Sequence, residues 1–222
     1  MRILLLALAL LVLGSIPAKA GPWPREPGQV FFALSVEAPT EDGAPARRFR
    51  SYGEAGLRPR LGFAASADYS AQSQRLSAAL RWHPPDLPGN VAWGLSAGLR
   101  RATDAAAWTD QRQAVLAVSI GRGFDTPLGS IWARGDLGAV FGLSPLGVLE
   151  REMELSAQIG LRNGGWIGML AITQDRKPDS STTSLRPALG YEFDPRLTLL
   201  GEAALSSDGE RRAISLSLWS RF

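Results

Sequence analysis

Apolar and polar residues alternate with a period of two along most of the chain. The clearest stretches are Val30/Phe32/Leu34/Val36, Leu76/Ala78/Leu80/Trp82, Val91/Trp93/Leu95/Ala97/Leu99 and Met153/Leu155/Ala157/Ile159/Leu161. Successive side chains of a strand point to opposite sides, so this period predicts strands with one apolar face. Turn residues cut the pattern into segments of about ten residues. Strands are predicted near 29–38, 48–58, 60–70, 73–83, 90–101, 110–122, 130–142, 150–162, 166–176, 182–193, 197–206 and 211–222. The reading is all-β with about twelve strands, ten being the alternative count.

A ten-residue strand is about 33 Å long. Tilted by roughly 40°, it covers about 25 Å, the height of the apolar belt of a membrane barrel. Beyond residue 20 no apolar run approaches the roughly 20 residues of a spanning helix. Strands cross lipid only as a closed barrel, because an open edge leaves backbone polar groups unsatisfied. The predicted fold is an antiparallel up-and-down transmembrane β-barrel, one domain over 21–222. Of the fifteen prolines, only Pro187 falls inside a predicted strand. A closed barrel offers no free edge for it, so a bulge or a late strand start is expected there.

The N-terminus has a different pattern. Arg2 precedes eleven consecutive apolar residues, Ile3 to Leu13. Gly14 and Pro17 break the run, and Ala18-Lys19-Ala20 supplies a small-x-small cleavage pattern. Residues 1–20 read as a signal peptide, since the run is too short to anchor in a bilayer.

The C-terminus ends in the strand pattern: Ile214, Leu216 and Leu218 alternate with serines, and the chain finishes on Phe222. This segment resembles the terminal strand of bacterial outer-membrane β-barrels. The resemblance implies an outer-membrane location, outer-membrane lipid as surroundings, and the barrel-assembly machinery as a partner through that strand. It departs from the family at Ser220, where an apolar residue is usual, with Trp219 one place off. A bulge near Trp219 and a weakened terminal signal are both open. Tyr52–Leu61 and Gly190–Leu197 also share an aromatic, a Glu, an apolar residue and then x-Pro-Arg-Leu. The shared pattern resembles hairpins of small outer-membrane proteins of transporter type, and as physics is a proline-set tight turn.

With the N-terminus periplasmic, Trp82, Trp93, Trp132, Trp166, Tyr191 and Phe222 all fall near predicted periplasmic turns or the C-terminus. They are the candidate interfacial girdle, with Phe63, Phe193 and Trp219 nearby. A soluble sandwich would scatter its aromatics along the strands.

If the apolar set faces lipid, the alternate set faces inward. Its candidate lumen-lining residues are Arg81, Arg100, Arg134, Asp136, Glu154, Arg162, Arg186, Glu192 and Glu202. Glu37, Arg50, Tyr52, Glu54, Arg58, Asp68, Arg211 and Arg221 belong to the same set, and Gly, Ala and Ser fill most remaining inward positions. Faces in the second, sixth, seventh and ninth segments stay ambiguous. Such charges either project into a narrow water-filled pore or pair across the lumen and close it. No inserted segment is long enough to form a plug.

The formal charge is +3, but without residues 1–20 it falls to 22 basic against 21 acidic residues. Arginines and acids intermix without a basic stripe, so no nucleic-acid partner is expected. There is no cysteine, which excludes disulfides and thiolate metal sites. The single histidine, His83, precedes Pro84 at a predicted turn and has no converging ligand set. Asp42-Gly43 and Asp208-Gly209 lack calcium-loop spacing. No cofactor, metal site or catalytic set is expected. The favoured expectation is a non-enzymatic, channel-like protein for passive passage of small polar or charged solutes. A structural barrel with a sealed lumen, a lipid-modifying outer-membrane enzyme and a secreted soluble sandwich are the alternatives.

Overall fold

The computed structural model describes residues 24–40, 47–89, 91–104, 109–143, 147, 149–177, 180–207 and 212–222. The signal-peptide reading, the two Asp-Gly turns and the inward placement of Arg211 lie outside these residues. Among them twelve strands follow in order: β1 (Val30–Pro39), β2 (Arg48–Arg58), β3 (Leu61–Tyr69), β4 (Ser73–Trp82), β5 (Ala92–Asp104), β6 (Thr109–Thr126), β7 (Gly129–Leu143), β8 (Leu149–Asn163), β9 (Trp166–Lys177), β10 (Ser180–Asp194), β11 (Leu197–Ser206) and β12 (Arg212–Arg221). Each pairs antiparallel with its neighbours in sequence, and β1 pairs with β12 to close the barrel. Closure removes both sheet edges, so the long strands have no exposed ladder.

The tight turns at 59–60, 127–128, 164–165 and 195–196 share one end of the barrel, the turn end, with the start of β1 and the finish of β12. The other is the loop end. Predicted and observed strands agree closely except in β6, which runs four residues further, to Thr126. The turn expected over Gly123–Gly129 is therefore tighter. Gly129 closes it at φ 116°, and any side chain there would meet Arg162 O.

The period-2 pattern sorts the two faces. Leu34, Leu80, Leu116, Ile159, Leu170 and Leu216 are exposed on the outer face, and Leu99 is 71% exposed. A belt of this size is an aggregation hazard in water and the required surface in lipid. The barrel therefore spans a membrane.

The two similar turns have the same irregularity. The β2–β3 register shifts by one between Gly56 and Arg58, and the β10–β11 register between Glu192 and Asp194. Leu57 and Phe193 are thus the extra residues of two bulges, each two places before the turn proline. Bulges at barrel rims re-aim the residues that follow. Arg58, expected inward, is instead opposite Leu61 on the outer face. The turns close differently: Arg60 takes φ 66°, whereas Asp194 Oδ1 accepts the Arg196 N–H at 2.6 Å.

Neither the bulge nor the late start expected at Pro187 occurs. β10 is continuous, and Pro187 pairs with Leu170 in an unbroken β9 register. Towards β11 the ladder skips Arg186 and Pro187, then resumes in the same register at Ala188–Glu202. The missing proline donor is accommodated by this local gap. The pairing of β12 with β1 and β11 is also unbroken through Trp219. Trp219 therefore points inward and Ser220 outward, which excludes the bulge and leaves the weakened terminal pattern.

Ahead of β1, residues 24–29 fold against the inner face of β2. Gly28 N–H donates to Gly56 O at 2.9 Å, and Gly56 N–H to Gln29 O at 3.0 Å. A Cβ on Gly56 would lie 2.1 Å from Glu26 O, so only glycine permits this approach. The sequence reading missed this short segment at the turn-end mouth.

Candidate functional site

The interior wall is built largely from small residues. Ser66, Ser77, Ser96, Ala117, Ala171 and Ala188 occupy inward positions along six strands and stay half-buried. A packed protein core buries such side chains completely. Their accessibility means that the barrel encloses open space, as a twelve-stranded wall with few bulky inward residues would.

Charged side chains project into that space in pairs. All nine candidate lumen-lining residues are on the inner face and each has an oppositely charged partner. Arg81 Nη1 is 2.7 Å from Glu54 Oε1 and also donates to Tyr52 Oη at 3.0 Å. Arg100 Nη1 is 2.9 Å from Glu154 Oε1. Arg134 Nη2 is 2.7 Å from Asp136 Oδ1, and Ser156 Oγ donates to the other carboxylate oxygen at 3.1 Å. Arg162 Nη2 is 3.1 Å from Glu192 Oε2, which also accepts from Arg221 Nη1 at 3.2 Å. Arg186 Nη1 bridges Glu202 Oε1 at 2.6 Å and Glu37 Oε2 at 3.5 Å, and Arg50 pairs with the same Glu37.

Several pairs join strands that are not neighbours. Arg100 and Glu154 connect β5 to β8, Arg186 and Glu37 connect β10 to β1, and Arg162 and Glu192 connect β8 to β10. Adjacent strands are about 4.8 Å apart, so contacts that skip strands are chords through the interior. The ion pairs divide the lumen into sectors, and both signs occur along its length.

The turn end is the narrower part. Glu54, Arg81, His83, Trp132, Ile167 and Leu200 are buried there or just above it. Arg25, in the segment before β1, is 3.4 Å from Glu54 and stacks over Phe31 at 4.9 Å. Trp219 meets the same Phe31 ring at 5.8 Å, edge-on. His83 is only 2% exposed and lies against Gly94, and its backbone N–H donates to Arg60 O at 2.8 Å.

The candidate girdle divides. Trp82 and Trp93 face outward in a T-shaped pair at 6.3 Å, and Trp93 Nε1 donates to Pro85 O. Trp166, Tyr191 and the bulged Phe193 form an outward chain with centroid separations of 5.2 and 5.3 Å. Phe222 is outward and 74% exposed. Trp132 does not belong with them: it is inward, 6% exposed, and covers Gly160 on β8. Even-numbered residues of β7 face inward, and small residues on both faces of that strand hid this parity in the sequence. Arg25 was missed for another reason: it precedes the alternating pattern, and only the Pro27–Gly56 bridge brings it inside.

Neither the family models nor the curated proteins give a match to this sequence. Solved structures do resemble it. The KdgM porin aligns with TM-score 0.61 and 9% identity, over 86% of this chain and 99% of its own. The fold is that of the small outer-membrane porins. The NanC porin aligns with TM-score 0.62 and 9% identity, over 87% and 98% of the two chains. The COG4313 outer membrane channel from Pseudomonas putida F1 aligns with TM-score 0.54 and 13% identity, over 94% and 100%. At these identities the likeness is one of architecture.

Proposed function

We propose that this protein is a bacterial outer-membrane channel for passive passage of small polar or charged solutes. The observation that carries the reading is the accessible inner wall of small residues crossed by discrete Arg–carboxylate chords. A sealed barrel would fill this space with packed side chains. Fixed charges of both signs give a transverse field that orients a dipolar solute. Their near balance, five arginines against four carboxylates among the nine candidates, favours weak discrimination between small anions and cations. The names of the porins and the channel of like fold support the same reading. The N-terminal signal pattern and the terminal strand support an outer-membrane address, with the barrel-assembly machinery engaging β12.

Complete pairing of the nine charges also suits a second reading, a structural barrel whose salt-bridge lattice closes the lumen. Liposome swelling separates the two. Vesicles containing refolded protein should swell in isotonic solutions of small sugars and amino acids. Swelling no faster than that of protein-free vesicles would favour the sealed barrel. A lipid-modifying enzyme gains little support, because His83 is buried at the turn end, away from the outer face.

A further inference from the structure

The outer face of β4, β5 and β6 near the loop end contains an arrangement that conduction does not need. Leu76, Arg101 and Arg112 are direct register partners across the three strands. The next outward row towards the turn end is Ala78, Leu99 and Ala114, followed by Leu80, Ala97 and Leu116. Alanines thus flank a leucine directly beneath two guanidinium groups. The six residues of the first two rows border a cavity of about 460 Å³, within the roughly 300–1,000 Å³ of small-molecule sites.

Like charges directly opposite on one sheet face are destabilising. Asp110 takes Arg101 in a two-point contact, Nε–Oδ1 at 2.9 Å and Nη2–Oδ2 at 2.8 Å. Two guanidiniums against one carboxylate still leave net positive charge above an apolar notch. The imbalance extends around the rim. Outward strand positions near the loop end include Arg101, Arg112, Arg151, Arg176 and Arg212, with Asp110 the only carboxylate among the described residues there. Asp and Glu near the loop end, such as Asp68, Glu152 and Glu154, are turned inward instead.

We propose that this notch binds an anionic, phosphate-bearing acylated lipid of the surrounding leaflet. Its phosphate would lie between Arg101 and Arg112, and an acyl chain would run past Ala78 and Ala114. Charge complementarity selects this occupant: lipid chains alone need no arginines, and a soluble anion needs no apolar notch below them. Arg is suited to phosphate because its planar fork donates two parallel hydrogen bonds. The inference rests on the membrane-spanning reading but not on an open lumen.

The test is native mass spectrometry of the detergent-solubilised full barrel, titrated with bis-phosphorylated lipid A, with dephosphorylated lipid A and with inorganic phosphate. Bis-phosphorylated lipid should be retained in preference to the dephosphorylated form, and millimolar inorganic phosphate should not displace it. Arg101→Gln with Arg112→Gln should weaken retention about tenfold, the loss of one charge-assisted contact. Ala78→Leu with Ala114→Leu fills the notch, keeps both charges and should weaken retention as well. This second pair keeps the proposal testable if the arginine variant fails to fold. Equal retention of both lipids, or a notch-filled variant that binds like wild type, overturns the proposal. Displacement by inorganic phosphate would assign the arginines to a soluble anion and also overturns it. Conductance is read separately, so failure here leaves the channel reading untouched.

Discussion

Arg100 Nη1 is 2.9 Å from Glu154 Oε1, and this contact joins β5 to β8 across the interior past two intervening strands. It is a chord in the solute path, with Arg100 on one wall and Glu154 on the other. Removing one member leaves the other facing the lumen alone. Glu154→Gln should shift the barrel towards anion preference, and Arg100→Gln towards cation preference. Reversal potentials under a salt gradient read both, and shifts of the same sign in the two variants would contradict the placement.

Arg186 holds two carboxylates at once, Glu202 and Glu37. Arg186→Ala leaves them near one another with Arg50 as the remaining close cation on Glu37. Loss of hydrogen bonds to charged groups costs about 1–3 kcal/mol, so urea unfolding from lipid vesicles should shift by that amount. Adding Glu202→Gln should recover part of the loss, because it removes one of the uncompensated charges. No recovery in the double variant would mean that Arg186 acts through packing alone.

Trp132 requires Gly160. A Cβ on Gly160 would lie 2.1 Å from Trp132 Cζ2, closer than atoms can approach. Gly160→Ala should therefore destabilise the barrel by about 1–3 kcal/mol through overpacking. With Trp132→Ala in the same chain, the two effects should be strongly non-additive, since the residues are in contact. Thermal loss of the folded electrophoretic form measures both, and simple additivity would contradict the contact.

Val30 and Phe222 exchange both backbone hydrogen bonds, at 2.9 and 2.8 Å, at the end of the closing seam. The Phe222 ring makes no comparable contribution, being 74% exposed on the outer face. Phe222→Ala should leave refolding in detergent near wild type and lower the amount assembled into cell membranes several-fold. Equal membrane levels would show that the ring is not part of the assembly signal.

The barrel was legible because lipid imposes one strict rule on each strand. Runs such as Leu95, Ala97 and Leu99 have only one membrane-compatible orientation, so their parity reads directly from the sequence. Legibility failed where both faces carry small or apolar residues. In β7, Trp132 and Val140 are inward among glycines, so an interior aromatic was read as part of a girdle. It failed again where backbone geometry overrides residue type. Pro187 looked disruptive, yet the ladder skips two residues there without a change of register. The register instead shifts at Leu57 and Phe193, whose place two residues before a turn proline was visible but had no assigned consequence. The ion pairs were legible only as two inventories of charge. Which arginine meets which carboxylate depends on contacts between strands far apart in sequence, and alternation contains no record of those.

Planar-bilayer recording of the purified, folded barrel tests the central claim most directly. Insertion should give discrete, uniform conductance steps with weak preference between small anions and cations. A correctly folded barrel that inserts and stays electrically silent would contradict the channel and leave the Arg–carboxylate lattice as the seal of a closed lumen.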